Sequence, residues 1–336
     1  MILEWLLTFA VHSTLWCGLA WLFLRARKNN DARQLEMVWL TAVAASFVTP
    51  TVAMLSNTVA VWHVPAPGLS AGAAAAPEFW LRLAGWLWVA VAFAMVLHLT
   101  LRLRALDLRL RHRQRIADPQ LHRTLVGLCE KADAPAPILT QSSELSSPIA
   151  FGIGRQREIC VPTNIVDKLD DDETRALLGH ELAHHLRRDT LRLSIMNALQ
   201  AMFFFQPLLR LAGRDLQMAA EEECDAWAAD QLDDRYAMAS CLTEVATWIV
   251  ARDEHLPAAC MGRHRSQLAH RVHRLTADRA GGEHPSRAVH VLSGIAILFV
   301  ASVFAPSLDQ ASPREEHNSE RSSHDGGGHD GRGEHR

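Results

Sequence analysis

Apolar positions in this chain fall into two patterns, and the two predict different surroundings. At the start they form unbroken runs. Ile2 to Leu24 is apolar apart from Glu4 and a few small polar residues, long enough to cross a bilayer as a helix. Met37 to Trp62 and Phe79 to Leu101 predict two more spans, and Val289 to Ala305 a fourth at the short end of the range. Residues 63–77 are rich in Pro, Gly and Ala and carry no Asp, Glu, Lys or Arg, which suits a short exposed loop. Between the third and fourth runs the apolar residues are spaced at helix and strand periods, as in a folded domain. From Ser307 onward the chain is Ser, Gly, Asp, Glu, Arg and His, too polar to bury a core and so expected to be disordered. The expected order is a membrane region over 1–101 with spans near 2–24, 37–62 and 79–101, a domain over 102–288, a fourth span over 289–305 and a tail over 306–336.

Charge gives this arrangement a direction. Arg25, Arg27, Lys28 and Arg33 lie between the first two spans, and Arg102, Arg104, Arg109, Arg111, Arg113 and Arg115 follow the third. The loop between the second and third spans has no Lys or Arg. Basic loops stay inside, so the N-terminus and the tail face out and the domain faces the cytoplasm. The first basic cluster follows its apolar run, unlike a secretory signal. Leucines interleave the arginines of 102–115, predicting either a stiff helical extension of the third span near anionic lipid or a solvated connector. A formal net charge of −3 shows no nucleic-acid footprint. Cys17, Cys129, Cys160, Cys224, Cys241 and Cys260 have no disulfide or metal spacing, which suits a reducing compartment.

The chemistry concentrates in His180-Glu181-Leu182-Ala183-His184. Two histidines four apart share a helix face, so their imidazoles can grip one metal ion, and Glu181 sits where it can take a proton from an attacking water. The helix opens on Asp170-Asp171-Asp172-Glu173, a run of capping and first-turn acids, and continues through Ala176, Leu177, Leu178, Leu182 and Ala183. A catalytic zinc needs a third protein ligand. Glu221-Glu222-Glu223-Cys224-Asp225 offers one. Adjacent side chains point about 100° apart on a helix, so only one glutamate can face the metal. Glu221 is the candidate ligand, with Asp225 one turn later behind a ligand histidine. Glu222 and Glu223 read as a charged outer face. Cys224 is an alternative ligand, or a small buried thiol, and His185 points away from the metal.

His180-Glu181-x-x-His184, Arg187-Arg188-Asp189, the Phe-rich approach to Gln206-Pro207-Leu208, and Glu221-x-x-Cys224-Asp225 together resemble the BlaR/MecR-type membrane metallopeptidases. More distantly they are similar to the HtpX and prenyl-protein proteases. Ser147 to Gly152 and Ile159 to Pro162 resemble the strand pair preceding the motif helix in that family. The resemblance implies an α-helical membrane protein carrying an α+β zincin-like domain in the inner (plasma) membrane. It implies one zinc ion on His180, His184 and Glu221, Glu181 as general base and, more weakly, Asp225 in support. The implied reaction is hydrolysis of a cytoplasmic protein, for example a transcriptional repressor, with an unknown partner supplying the signal. The sensors of that family carry a penicillin-binding domain after the last span. Here about thirty residues remain there and no lysine follows Lys168, so a Ser-x-x-Lys acylation site is not expected.

Alternatives remain open at this level. A non-proteolytic membrane signalling or scaffold protein would use zinc structurally, although structural sites are usually closed by four protein ligands. A transporter would need paired charges within its spans. Ile195 to Leu211, with Met202, Phe203, Phe204 and Phe205, is either a buried core helix or a membrane-proximal helix pair broken at Pro207. Leu268, Val272 and Leu275 with Arg271 and Arg274 predict an amphipathic helix closing the domain. His317, His324, His329 and His335 are either a metal-sensing tail or spaced solvated histidines. An edge strand within Ile149 to Val161, with Gly152 and Gly154 suited to a turn, would bind substrate in extended form.

Overall fold

The computed structural model describes residues 2–27, 31–55, 63–65, 76–252 apart from Ile153, Arg155, Asn164, Val166 and Asp167, then 258–276 and 307–309. The proposed fourth span and most of the tail, with its histidines, lie outside the described residues.

Three described helices are long and apolar enough to cross a membrane, with candidate spans at Trp5–Ala26, Ala32–Val52 and Arg82–His112. They belong to α1 (Ile2–Ala26), α2 (Ala32–Leu55) and α3 (Ala76–Arg109) with the short 3-10 turn that follows it, Leu110–His112. The first and third expected spans lie within their helices, but α2 begins five residues before the expected Met37. Its first turns carry Arg33 and Glu36, which an apolar-run reading excludes and which partners in the folded domain neutralise. The Arg-rich segment is helical through His112, and Gln114–Arg115 then forms strand β2. Strand β1 (His63–Pro65) pairs in parallel with β6 (Ser307–Asp309).

The part of the chain that follows α3 joins a small sheet to a helical layer. β3 (Ile138–Ser142), β4 (Ile149–Phe151) and β5 (Glu158–Pro162) join β2 in the order β2-β3-β5-β4. β3 and β5 run parallel, and the outer strands run antiparallel to their neighbours. The pair expected before the motif helix is therefore β4 and β5. Gly152 and Gly154 in the turn between them both take positive φ, and a Cβ on Gly152 would lie 1.9 Å from the Gln156 carbonyl oxygen. Of the two strands, β5 is interior, so β4 alone offers an edge.

α4 (Pro119–Lys131), α5 (Asp171–Arg187), the C-terminal half of α7 (Pro207–Leu232), α8 (Arg235–Arg252) and α9 (Ala258–Thr276) close one core around the sheet. Leu128, Ile159, Leu178, Leu182, Ala228 and Met238 are central to it. Among the described residues of α9, Leu268, Val272 and Leu275 pack on this core, as the amphipathic pattern predicts.

A second core joins the domain to the membrane helices. Phe9 and Trp39 of α1 and α2 pack with Met196 of α6 (Asp189–Met202), Phe203, Leu209 and Leu216. Phe203 sits 4.3 Å, ring centre to ring centre, from Phe9 and 5.1 Å from Phe47. Gln206 caps α7 with Pro207 in its first turn, and its side-chain amide donates to Ser13 Oγ of α1 at 2.6 Å. The apolar segment 195–211 is thus the tip of a helix pair lying along the spans. A buried amide finds its partners in span hydroxyls because no water is available there. Tryptophans of the spans hydrogen-bond between helices. Trp39 donates to Asp215 of α7 at 2.9 Å, and Trp88 to the Met202 carbonyl at 3.1 Å.

Candidate metal centre

The motif helix α5 begins where its acids predict. The Asp170 carboxylate accepts from the Glu173 amide at 2.7 Å, and the Glu173 carboxylate accepts from the Asp170 amide at 3.1 Å, a complete capping box. Ser240 of α8 donates to the other Glu173 oxygen, anchoring this end to the core. Gly179 lets α7 approach closely: a Cβ there would meet Ala228 Cβ at 3.4 Å. That approach brings Glu221 and Asp225 over His180 and His184.

His180, His184 and Glu221 then converge. His180 Nε2 and His184 Nε2 are 3.2 Å apart, Glu221 Oε2 is 3.5 Å from the first, and Glu221 Oε1 is 3.8 Å from the second. Donors held about 2.0–2.1 Å from a tetrahedral zinc stand about 3.3–3.4 Å from one another. The three donors therefore fit one ion, as a buried and a half-buried imidazole aimed at a common point with a carboxylate opposite. Among the described residues these three lie close enough together to hold a metal ion. Glu181 is buried beside them. Burial pushes its carboxyl above the ordinary range, against the pull of His180 and His184.

Asp225 lies under His180, Oδ1 standing 2.9 Å from Nδ1. The contact is short but bent, so Nδ1 is a buried nitrogen without a well-directed hydrogen bond. Arg271 of α9 holds Asp225 from the far side, with Nε at 2.7 Å from Oδ2 and Nη2 at 2.6 Å from Oδ1. Its Nη1 is 3.0 Å from Glu221 Oε2. Burial opposes charge on Asp225 and Glu221, but the cationic neighbours prevail and hold both carboxyls below their usual range. Burial likewise opposes charge on His180, yet Asp225 and Glu221 outweigh it and hold its pKa up at about 10.

The other histidine of the cluster, His184, has a different support, which the sequence reading did not assign. Asp189, buried at the start of α6, places Oδ2 3.1 Å from His184 Nδ1. The turn that brings it back passes through Arg188, a non-glycine residue in the left-handed region at φ 59°. Cys224 is fully buried with Sγ 3.3 Å from His184 Nδ1 and donates to Asp189 at 3.4 Å. Burial and then Asp189 push its thiol well above the ordinary value, so it faces the site as neutral S–H. His184, Asp189 and Cys224 also cluster closely enough to suggest a second cation. Arg187 and Arg192 already neutralise Asp189, which leaves this group fitted to hold the outer nitrogen of His184.

One expectation is corrected here. Glu222 and Glu223 do not form an outer face: their side chains are 9% and 11% exposed, against 29% for Glu221. Glu222 pairs with His270 and Arg274 of α9, and Glu223 with Arg33 and Arg187. The 100° spacing was right, but each direction meets an element that a linear reading cannot place. His185, read as pointing away from the metal, is buried and donates from Nε2 to the Glu158 carbonyl at 3.0 Å, fastening α5 to β5.

Residues 69–275, more than half of the 336-residue chain, match the BlaR1 peptidase M56 family. The chain belongs to that family. The M56 match contains the whole cluster from His180 to Arg271. A protease HtpX homolog of Methanothermobacter thermautotrophicus is 31% identical over 90 residues, 26% of this chain and 34% of that protein. HtpX homolog 2 of Methanosarcina mazei is 37% identical over 90 residues, 26% of this chain and 30% of that protein. The chain spans about a third of the length of these curated relatives. The crystal structure of S. mikatae Ste24p aligns with 81% of this chain and 98% of that one, at 12% identity and a TM-score of 0.37. The described residues of this M56 family member are mostly helical, with three helices long and apolar enough to cross a membrane and a group on α5 and α7 that could hold a metal ion.

Proposed function

We propose that this protein is a zinc-dependent endopeptidase of the inner (plasma) membrane that cuts a cytoplasmic protein during signalling, for example a transcriptional repressor. The observation that carries the reading is the convergence of His180 Nε2, His184 Nε2 and the Glu221 carboxylate at the spacing of three tetrahedral donors. In this reading those three hold the ion, Asp225 and Asp189 set the poses of His180 and His184, and Glu181 is the general base. Zinc bound there supplies Lewis acidity, lowering the pKa of the attacking water and polarising the scissile carbonyl. Glu181 accepts the water proton at a carboxylate oxygen and delivers it to the leaving amine. Its burial, which raises its pKa, suits a group that must carry that proton between the two steps. The substrate lies extended along β4, the edge strand packed beside α5. Thr190 Oγ1 donates to the Ala150 carbonyl at 3.1 Å, holding that strand to the start of α6.

The peptidase domain faces the cytoplasm, with the N-terminus and tail outside. The basic clusters around α1, α2 and α3 support this orientation. The pairing of β1 with β6 supports a tail on the same side as the loop between α2 and α3, which requires a further crossing such as 289–305. The test is purified full-length protein in detergent, assayed for zinc content and for chelator-sensitive cleavage of protein substrates. Glu181→Gln is expected to keep one zinc and lose about 10²–10⁴-fold in rate. His180→Ala, His184→Ala and Glu221→Ala are expected to lose the metal. Full zinc retention in Glu221→Ala removes that ligand. Zinc bound without any turnover that depends on Glu181 favours the non-proteolytic scaffold.

A further inference from the structure

Glu36 is a carboxylate in the second turn of a candidate membrane span, and it is buried. Such a group is costly at a bilayer boundary unless it is paired. It is paired twice. Arg187 Nη2 lies 2.6 Å from Oε2, and Arg192 Nη2 contacts Oε1. The two arginines flank the left-handed turn at Arg188, one ending α5 and the other in the first turns of α6. Both also hold Asp189: Arg187 Nε is 3.2 Å from Oδ2, and Arg192 Nη1 is 3.3 Å from Oδ1. Asp189 Oδ2 in turn meets His184 Nδ1 at 3.1 Å, while Nε2 of the same ring turns toward His180 and Glu221. A continuous line of charge-assisted contacts thus runs from the second span to the metal-facing imidazole.

We propose that Glu36 is a positioning residue for the metal centre: the cytoplasmic end of the second span sets the pose of His184 through Arg187, Arg192 and Asp189. The inference rests on the reading that His180, His184 and Glu221 hold zinc. A plain anchor between span and domain would need one arginine and no share in Asp189. Here the same two guanidiniums divide themselves between the carboxylate of the span and the carboxylate that orients the ligand. Without Glu36, Arg192 and the Arg187 guanidinium, which then keeps only Glu223 besides, can close on Asp189 and draw it from His184 Nδ1. Movement of α2 in the membrane therefore reaches the metal, which gives the span a means of tuning the site.

The experiment uses the full chain in lipid nanodiscs, with zinc affinity from competition against a fluorescent chelator and the visible spectrum of the cobalt-substituted protein. Asp189→Asn is expected to weaken zinc about 10–100-fold, as loss of a group that orients a ligand histidine does. Glu36→Gln is expected to weaken it by about tenfold and to shift the cobalt bands, with Glu36→Asp between it and wild type. The double variant is expected to be no weaker than Asp189→Asn alone, because the two act in series. Trp39→Phe removes a different contact between α2 and α7, the hydrogen bond to Asp215, and is expected to leave zinc affinity and cobalt spectrum unchanged. Wild-type affinity and spectrum in Glu36→Gln overturn the proposal, as do additive losses in the double variant. An equal loss in Trp39→Phe also overturns it, since α2 would then act by packing alone. If Glu36→Gln does not fold, Glu36→Asp decides alone, and a wild-type cobalt spectrum in it sinks the inference. Failure of the zinc reading itself looks different: wild type without one zinc, or His180→Ala retaining it.

Discussion

Arg271 offers the sharpest test of how the centre is held together. It touches Asp225 twice and Glu221 once, at 2.6–3.0 Å, and both carboxylates are charged in its presence. Arg271→Gln keeps much of the side-chain volume and removes the charge. In the metal-free protein that leaves two close carboxylates facing only the imidazoles of His180 and His184, with the Asp225 side chain only 2% exposed. Removing one partner of a buried ion pair typically costs about 3–5 kcal/mol. At about 2–4 °C per kcal/mol for a domain of this size, the melting temperature of chelated protein should fall by on the order of 10 °C. Zinc changes the balance, because a divalent cation on Glu221 replaces part of the missing charge. The zinc-loaded variant should therefore lose less than half as much, and zinc should stabilise it more than it stabilises wild type. The assay is thermal unfolding of wild type and variant in the same detergent, with chelator and with excess zinc. Equal losses in both conditions, or a loss below about 3 °C with chelator, would show that Arg271 does not balance the charge of these carboxylates.

Two further outcomes follow from the same geometry. Gly152→Ala places a methyl into the Gln156 carbonyl at positive φ and should destabilise the domain by about 1–3 kcal/mol, read as a lower unfolding midpoint with the zinc content of the folded fraction unchanged; an unchanged midpoint refutes the turn. In chelated wild type, Glu221 and Asp225, with lowered pKa, stabilise fully above about pH 4.5 and lose this as pH falls through their folded values. His180, raised to about 10, stabilises fully below about pH 6.5 and loses this as pH rises toward 10. The chelated protein should thus be most stable between about pH 4.5 and 6.5, and His180→Ala should flatten the alkaline limb; a wild-type profile level from pH 6.5 to 10 contradicts the assignment.

Much of the fold was legible because it is set locally. An apolar run long enough to cross a bilayer, an acid run that caps a helix and two histidines four residues apart are properties of neighbouring residues. So are the turn at Gly152 and the amphipathic stripe of α9. Misreadings came where charged side chains are buried by partners far along the chain. Arg33 read as a basic residue between two spans and Glu222 and Glu223 as a charged outer face, yet all are neutralised inside the fold.

The sequence by itself determined that this is a membrane protein with a histidine–glutamate motif on a capped helix, because periodicity, length and capping need only nearby residues. The tertiary structure alone decided which groups support that motif. Arg271 reaches Asp225 across 46 residues and Arg187 reaches Glu36 across 151. Such contacts are set by how helices pack in three dimensions, and a charge pattern read along the chain does not record which opposite charge the fold will bring beside it.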